Sequence, residues 1–375
     1  METQTDSARE GSTGRAAEGR HVPAQPLDAR LEEVARVFRS KPFEPHPVLR
    51  GGHAQTLAAA TNPARARISK QERPLYEPRL VEVEPGSRVK VECRWQPRRQ
   101  EAPTLVLMHG LEGSADSPYV RSTARKAFLS GFNVACLNMR NCGDTEHLSA
   151  TLYHNGLTGD IDRVVEELTA GEGLSRVFLG GFSMSGNMVL RLAGEYGDEA
   201  PRTLAGVCAV SPSIDLAGCA ARIEHPSNLL YETSFVRSMR KRMRRKGRLW
   251  PGVYDTRGLW RLRTIRQFDE RFTAPHGGFR DAADYYARTS ALPVIPRIRV
   301  PSLVLHALDD PFIPSEPFGS PEVAANPSVL LVLTERGGHV GFYAGAAPPG
   351  EDRFWAENRV VEFCRLLSEG GKQEV

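Results

Sequence analysis

The six cysteines, at positions 93, 136, 142, 208, 219 and 364, include no C-x-x-C pair. That excludes a zinc ribbon and a disulfide-stapled scaffold, and it leads us to expect free, buried thiols. No apolar run approaches the ~18 residues a membrane-spanning helix needs. Residues 1–20 lack the apolar stretch of a secretory signal, and their acidic residues do not suit a transit peptide. The charge is nearly balanced, with 49 Lys+Arg against 45 Asp+Glu for a net +4, too little to imply nucleic acid. No internal repeat is visible. These absences leave a cytoplasmic protein as the expectation.

What is present is ordinary globular material. The 375 residues are 40% hydrophobic and 25% charged, enough chain for a large core and a site that excludes water. Residues 1–30 are rich in Ser, Gly, Thr, Glu and Arg without apolar periodicity and read as a disordered tail, with one domain expected over 31–375. Leu31, Val34 and Phe38 recur at helical spacing. Two alternating runs, 80–83 and 89–93, flank Pro85-Gly86-Ser87 and predict a β-hairpin.

Beyond the hairpin the pattern changes. Short, mostly apolar runs at 105–108, 132–137, 177–179, 207–210, 303–305 and 329–333 are separated by helix-like stretches such as 122–129 and 161–168. Near-continuous apolar strands between helices predict an α/β fold with a mostly parallel sheet covered on both faces. The rhythm breaks over about 213–293, which is helical and basic in character and reads as a cap inserted over the strand ends.

The run from Val177 to Asn187 carries the most chemistry. A β-run enters small residues at Gly180-Gly181-Phe182, Ser183 follows, and a helix-compatible stretch comes next. A serine on a strained strand-to-helix turn exposes its hydroxyl, and small residues two positions either side avoid a clash. Here the pair is Gly181 and Ser185, where glycine is usual at the second position. Two further loops then supply partners in the order that such sites use. After 303–305 comes Asp309-Asp310-Pro311, and after 329–333 comes Gly338-His339-Val340. Ser183, Asp310 and His339 are the expected catalytic triad, with Asp309 as the alternative acid and more simply a turn former. Backbone N–H groups of Met184, after the nucleophile, and Leu111, in the loop after 105–108, are the expected oxyanion donors, since Gly110 lets that loop approach closely. His306, Asp309 and His339 lack a chelating spacing, so no metal is expected. No cofactor is expected either.

Taken together these segments resemble the α/β-hydrolase superfamily, and more narrowly its YheT-type (ABHD-like) subfamily. The narrower likeness rests on Pro45-His46-Pro47, Gly52-His53-Ala54-Gln55-Thr56-Leu57, His109-Gly110-Leu111-Glu112-Gly113-Ser114, Asn138-Met139-Arg140-Asn141-Cys142-Gly143, Tyr153-His154-Asn155-Gly156, Gly278-Phe279 with Tyr285-Tyr286, and the two loops above. It covers roughly residues 40–368. The resemblance implies serine-hydrolase chemistry on carboxylic esters, of short or medium acyl chain or lipid-like. Acyl transfer to an alcohol or lysolipid, and a non-catalytic binding protein on the same fold, stay open as alternatives. The segment 52–57 has no physical account from sequence; His53 reads as satisfying a buried polar contact, with support of the active-site loops as the alternative. Arg140 reads as a structural salt-bridge partner, with a place bordering the pocket as the alternative.

Residues 237–248 hold eight cationic side chains in twelve positions. Phe235, Met239 and Met243 recur every four residues, which predicts a helix with an apolar stripe beneath a cationic face. A solvated face is the plain expectation, and peripheral contact with anionic membrane lipid is the functional one. No recognition fold accompanies the charge, so nucleic acid is not expected.

Overall fold

The computed structural model describes residues 27–370, so the expected tail lies outside the described residues up to position 26. The first helix, α1 (Ala29–Arg39), starts inside the span read as tail because Asp28 caps it, its side chain accepting the Leu31 N–H at 2.9 Å. Leu31, Val34 and Phe38 are buried on its inner face.

Eight strands form one sheet: β1 (Glu77–Glu84), β2 (Ser87–Arg94), β3 (Thr104–Met108), β4 (Asn133–Asn138), β5 (Val177–Phe182), β6 (Leu204–Val210), β7 (Ser302–Ala307) and β8 (Val329–Thr334). Their spatial order is β1-β2-β4-β3-β5-β6-β7-β8. The hairpin β1–β2 and the pair β2–β4 are antiparallel, and all other pairs are parallel. Every residue of β3, β4, β5 and β7 is buried. The reason is visible in β3. Leu105 and Leu107 join the core on one face of the sheet, Val106 and Met108 the core on the other. A strand covered on both sides has no polar face to alternate with, which is why these runs are continuous in sequence.

Helices α2 (Gly52–Ala60), α3 (Pro63–Glu72), α4 (Pro118–Leu129), α5 (Thr158–Glu166) and α6 (Met184–Tyr196) follow. Between β6 and β7 the chain leaves the sheet for α7 (Leu216–Ile223), α8 (Leu229–Leu249) and several shorter helices, among them a π-helical turn at Asp269–Thr273 and a helix at Ala282–Thr289. This stretch has its own core of Val236, Met239, Met243, Tyr254, Phe268 and Phe272 with neighbours. The six cysteines are free, five of them buried. Among the described residues no helix is long and apolar enough to cross a membrane.

The apolar stripe of α8 is Val236, Met239 and Met243, with Phe235 only half-buried at its edge. The cationic face differs from the expectation, because two of the eight cations point inward. Arg242 pairs with Glu112. Lys246 donates to the carbonyls of Ser149 and Glu146 and lies over the rings of Trp250 and Tyr254, and burial pushes its pKa down to about 7. Positions 242 and 246 flank the stripe by one turn, and each found acceptors on the loops beneath, so burial became tolerable. Arg140 is likewise structural, buried against Asp160 and Glu84.

Candidate active site

The turn from β5 into α6 holds Ser183 at φ 56° and ψ −117°, a conformation that costs a residue with a Cβ about 1–3 kcal/mol. The tightness has a visible cause. A Cβ on residue 181 would lie 2.3 Å from the Ser185 carbonyl oxygen, and one on residue 186 would lie 2.9 Å from Pro212. Position 185 tolerates a serine because its hydroxyl is used. It accepts the Phe182 N–H at 2.8 Å and donates to the Met108 carbonyl at 2.9 Å, tying the elbow to the end of β3.

The loops after β7 and β8 bring Asp310 to His339. The His339 Nδ1 lies 2.8 Å from Asp310 Oδ2, while Asp310 Oδ1 accepts the N–H groups of Phe312 (2.8 Å) and Ile313 (3.0 Å). Burial works against the Asp310 carboxylate, but the facing imidazole outweighs it and holds the pKa below its ordinary value. Asp309 does not reach the imidazole. Its Oδ1 accepts the Gly338 N–H at 2.8 Å and so fixes the histidine loop.

The segment 52–57, opaque in sequence, packs on these two loops. A Cβ at Gly52 would stand 1.8 Å from the Asp309 carbonyl oxygen, and one at Gly338 would stand 2.3 Å from the Gly52 carbonyl oxygen, so α2 and both loops touch backbone to backbone. Gln55 Nε2 donates to the Leu49 and Tyr343 carbonyls and its Oε1 accepts the Tyr343 N–H at 2.8 Å. Thr56 Oγ1 accepts the N–H of His339 itself at 2.8 Å. His53 is not buried, contrary to its reading from sequence. It is exposed and stacks on Tyr231 of α8, with ring centroids 5.7 Å apart.

On the other side of the serine, Gly110 comes so close that a Cβ there would lie 3.1 Å from the Ser183 Cβ. His109, neutral because burial pushes its pKa down to about 4, donates from Nδ1 to the Gly110 carbonyl at 2.8 Å and accepts the Met139 N–H on Nε2 at 3.2 Å. Among the described residues, the N–H groups of Leu111 and Met184 have no acceptor.

Ser183, His339, Leu111 and Met184 share the wall of one cavity, open to solvent at its mouth. The rest of the lining comes largely from the stretch between β6 and β7 and is mostly apolar, including Leu216, Ile223, Phe235, Met239 and Ile265. Asp269, on the π-helical turn, was not singled out in sequence and also lines it. Burial pushes its pKa up to about 6, against the Tyr286 hydroxyl that donates to it at 2.8 Å.

A family model for the alpha/beta hydrolase fold matches residues 103–346. The YheT protein of Escherichia coli (strain K12) is 33% identical over 272 residues, covering 72% of this chain and 78% of that one. Human phospholipase ABHD3 is 27% identical over 272 residues, covering 72% of this chain and 66% of its own longer one. Among solved structures, the Pyrococcus furiosus esterase Pf2001 superposes with a TM-score of 0.53 at 17% identity, over 78% of this chain and 92% of that one.

Two outcomes follow from the geometry. Thr56→Val keeps the shape of the side chain but strips the His339 N–H of its acceptor, and should lower stability by about 1–3 kcal/mol in denaturant unfolding. Asp269 carries a folded-state pKa above its unfolded one, so the protein binds more protons when folded between about pH 4 and 6, and stability from this group falls as pH rises through that window. Asp269→Asn should therefore stabilise by about 3 kcal/mol above pH 6, with the gain fading toward pH 4; a gain independent of pH would contradict the assignment.

Proposed function

Since the chain belongs to the α/β hydrolase fold family, we propose that it is a serine hydrolase that cleaves carboxylic esters through an acyl-enzyme. The observation that carries the reading is that a strained Ser183 and His339, whose Nδ1 lies 2.8 Å from the buried Asp310, line one cavity. With Nδ1–H donated to Asp310, the His339 Nε2 is left with its lone pair and acts as general base. Ser183 Oγ attacks the ester carbonyl as Nε2 takes its proton. The negative charge that develops on the carbonyl oxygen is met by the Leu111 and Met184 N–H groups, each worth about 3 kcal/mol in such sites. Collapse expels the alcohol, which receives the proton from Nε2. A water activated by the same imidazole then frees the acid and restores the serine. No cofactor enters these steps.

The apolar lining supports an acyl chain of short to medium length or a lipid-like ester. The outer face of α8 supports an encounter with a lipid surface. Arg237, Lys241, Arg244 and Arg248 fall on one stripe of the helix, all exposed, and among the described residues none has a carboxylate partner. Leu230, 84% exposed, continues the stripe at its N-terminal end. A row of unpaired cations ending in an exposed leucine suits anionic lipid headgroups.

Hydrolysis of p-nitrophenyl esters from C2 to C16 tests the chemistry. Ser183→Ala should reduce turnover on the order of 10⁶-fold, and the chain-length optimum reports the size of the cavity. Product formed with added ethanol above the water reaction would instead mark acyl transfer, and ligand-stabilised melting without turnover would mark a binding protein. For the surface, sedimentation with phosphatidylglycerol vesicles should capture the protein and phosphatidylcholine vesicles should not. Reversing Lys241 and Arg244 to glutamate should release it; capture that ignores lipid charge refutes the docking face.

A further inference from the structure

Glu112 is a carboxylate at a backbone position better suited to glycine. Its φ is 57°, in the left-handed region that a Cβ disfavours. It directly follows Leu111, the residue whose N–H serves the oxyanion in the reading above. A side chain kept at a strained position points to a use for that side chain, and the use is visible. Glu112 Oε1 accepts the Tyr153 hydroxyl at 2.8 Å, Arg242 Nε at 3.0 Å and Arg242 Nη2 at 2.6 Å. The Tyr153 hydroxyl in turn accepts the backbone N–H of Glu112 at 3.0 Å. The residue is thus held by its main chain and its side chain together.

The partner comes from far away in sequence. Arg242 lies in the middle of α8, 130 residues on. Its guanidinium sits over the Tyr153 ring at 4.7 Å and near the Phe268 ring at 5.7 Å. The side chains of the pair are 6% and 9% exposed. Burial works against the arginine charge, and Glu112 with its neighbours outweighs it, so the arginine pKa stands above its ordinary value. Burial also raises the Tyr153 hydroxyl well above its usual range, with Glu112 adding to the effect, and it remains a donor.

The other end of the same turn is fixed as well. The Gly110 carbonyl accepts from His109 Nδ1 at 2.8 Å and from the Gly113 N–H at 3.1 Å, and the Gly110 N–H donates to the Tyr119 hydroxyl at 2.9 Å. In a planar trans peptide the carbonyl and the following N–H point in opposite directions. Anchoring the Gly110 oxygen on one side and the whole of Glu112 on the other leaves the Leu111 N–H one direction to take.

We infer that Glu112 and Arg242 are a positioning pair that clamps the turn after β3 to α8 and so aims the Leu111 N–H at the oxyanion. Neither residue touches the reacting atoms in this role. Helix α8 thereby belongs to the chemistry of the site as well as to its enclosure. The inference rests on the serine-hydrolase reading. Its rival on the same residues is that Arg242, which lines the cavity, binds the substrate directly.

Steady-state kinetics on the best p-nitrophenyl ester, with fluorophosphonate labelling of Ser183 and thermal unfolding alongside, separates these. Glu112→Gln and Arg242→Met should each lower kcat by about 10- to 100-fold with KM changed less than about threefold, as expected when a donor to the transition state is misplaced. The double variant Glu112→Gly with Arg242→Met removes both charges and relaxes the left-handed backbone. It should melt at or near the wild-type temperature, yet have a kcat no lower than the slower single variant and still at least tenfold below wild type. Wild-type kcat in that folded double variant overturns the inference, and a loss carried by KM assigns Arg242 to substrate binding instead. If the wild-type enzyme neither labels at Ser183 nor turns over any ester, the serine-hydrolase reading itself fails and the inference falls with it.

Discussion

The backbone of Ser183, at φ 56° and ψ −117°, is the constraint around which the site is organised. Such a turn persists only where its surroundings over-determine it. Here they do so by exclusion and by hydrogen bonding at once. Gly181 and Gly186 leave no room for a side chain, and the Ser185 hydroxyl spans from the Phe182 amide to the Met108 carbonyl. Through that last bond the elbow is fastened to the end of β3, from which the turn carrying Gly110 and Leu111 departs. The two N–H groups expected to share one oxygen are therefore held by a common piece of framework and not by two independent loops.

Helix α8 joins three features that usually sit on separate elements. Its apolar stripe fills a small core of its own, its inner arginine holds Glu112, and its outer stripe of cations has no carboxylate partner among the described residues. A helix that faces water on one side and the turn after β3 on the other links the surface to the cavity that Ser183 lines. The link is short and ionic, buried where salt screens it little.

The strands and the order of the site loops were legible because their causes are local. A strand buried on both faces must be apolar throughout, as in β3 and β7, and an acid followed by proline, as at Asp310-Pro311, advertises its turn. The helical stretch between β6 and β7 was legible for the same reason. The role of residues 52–57 was not, because Gly52, Gln55 and Thr56 have their meaning only against a loop that lies some 280 positions away. His53 was misread for a related reason: its neighbour Tyr231 belongs to α8, and nothing near position 53 marks it as a surface residue. The inward turn of Arg242 and Lys246 was hidden too. Helical periodicity orders side chains around an axis, but whether a charge at the edge of the stripe is buried depends on acceptors that other segments supply. The replacement of glycine by Ser185 in the elbow became intelligible only once its hydroxyl had partners.

The bracing of the histidine loop by α2 has a consequence in time. Thr56 and His339 are 283 residues apart and Gln55 and Tyr343 are 288 apart, so the contacts that fix His339 are among the most non-local in the chain. At synthesis rates of about 5–20 residues per second, α2 waits roughly 15–60 s for its partner to be made. During that interval Gly52, shaped for backbone contact, has nothing to touch. The sheet can begin to assemble from β3 onward while the chain grows, but the histidine is seated only when the early segment closes over the last loop. The seating of His339 is thus a late event in folding, and high contact order at this one seam sets it.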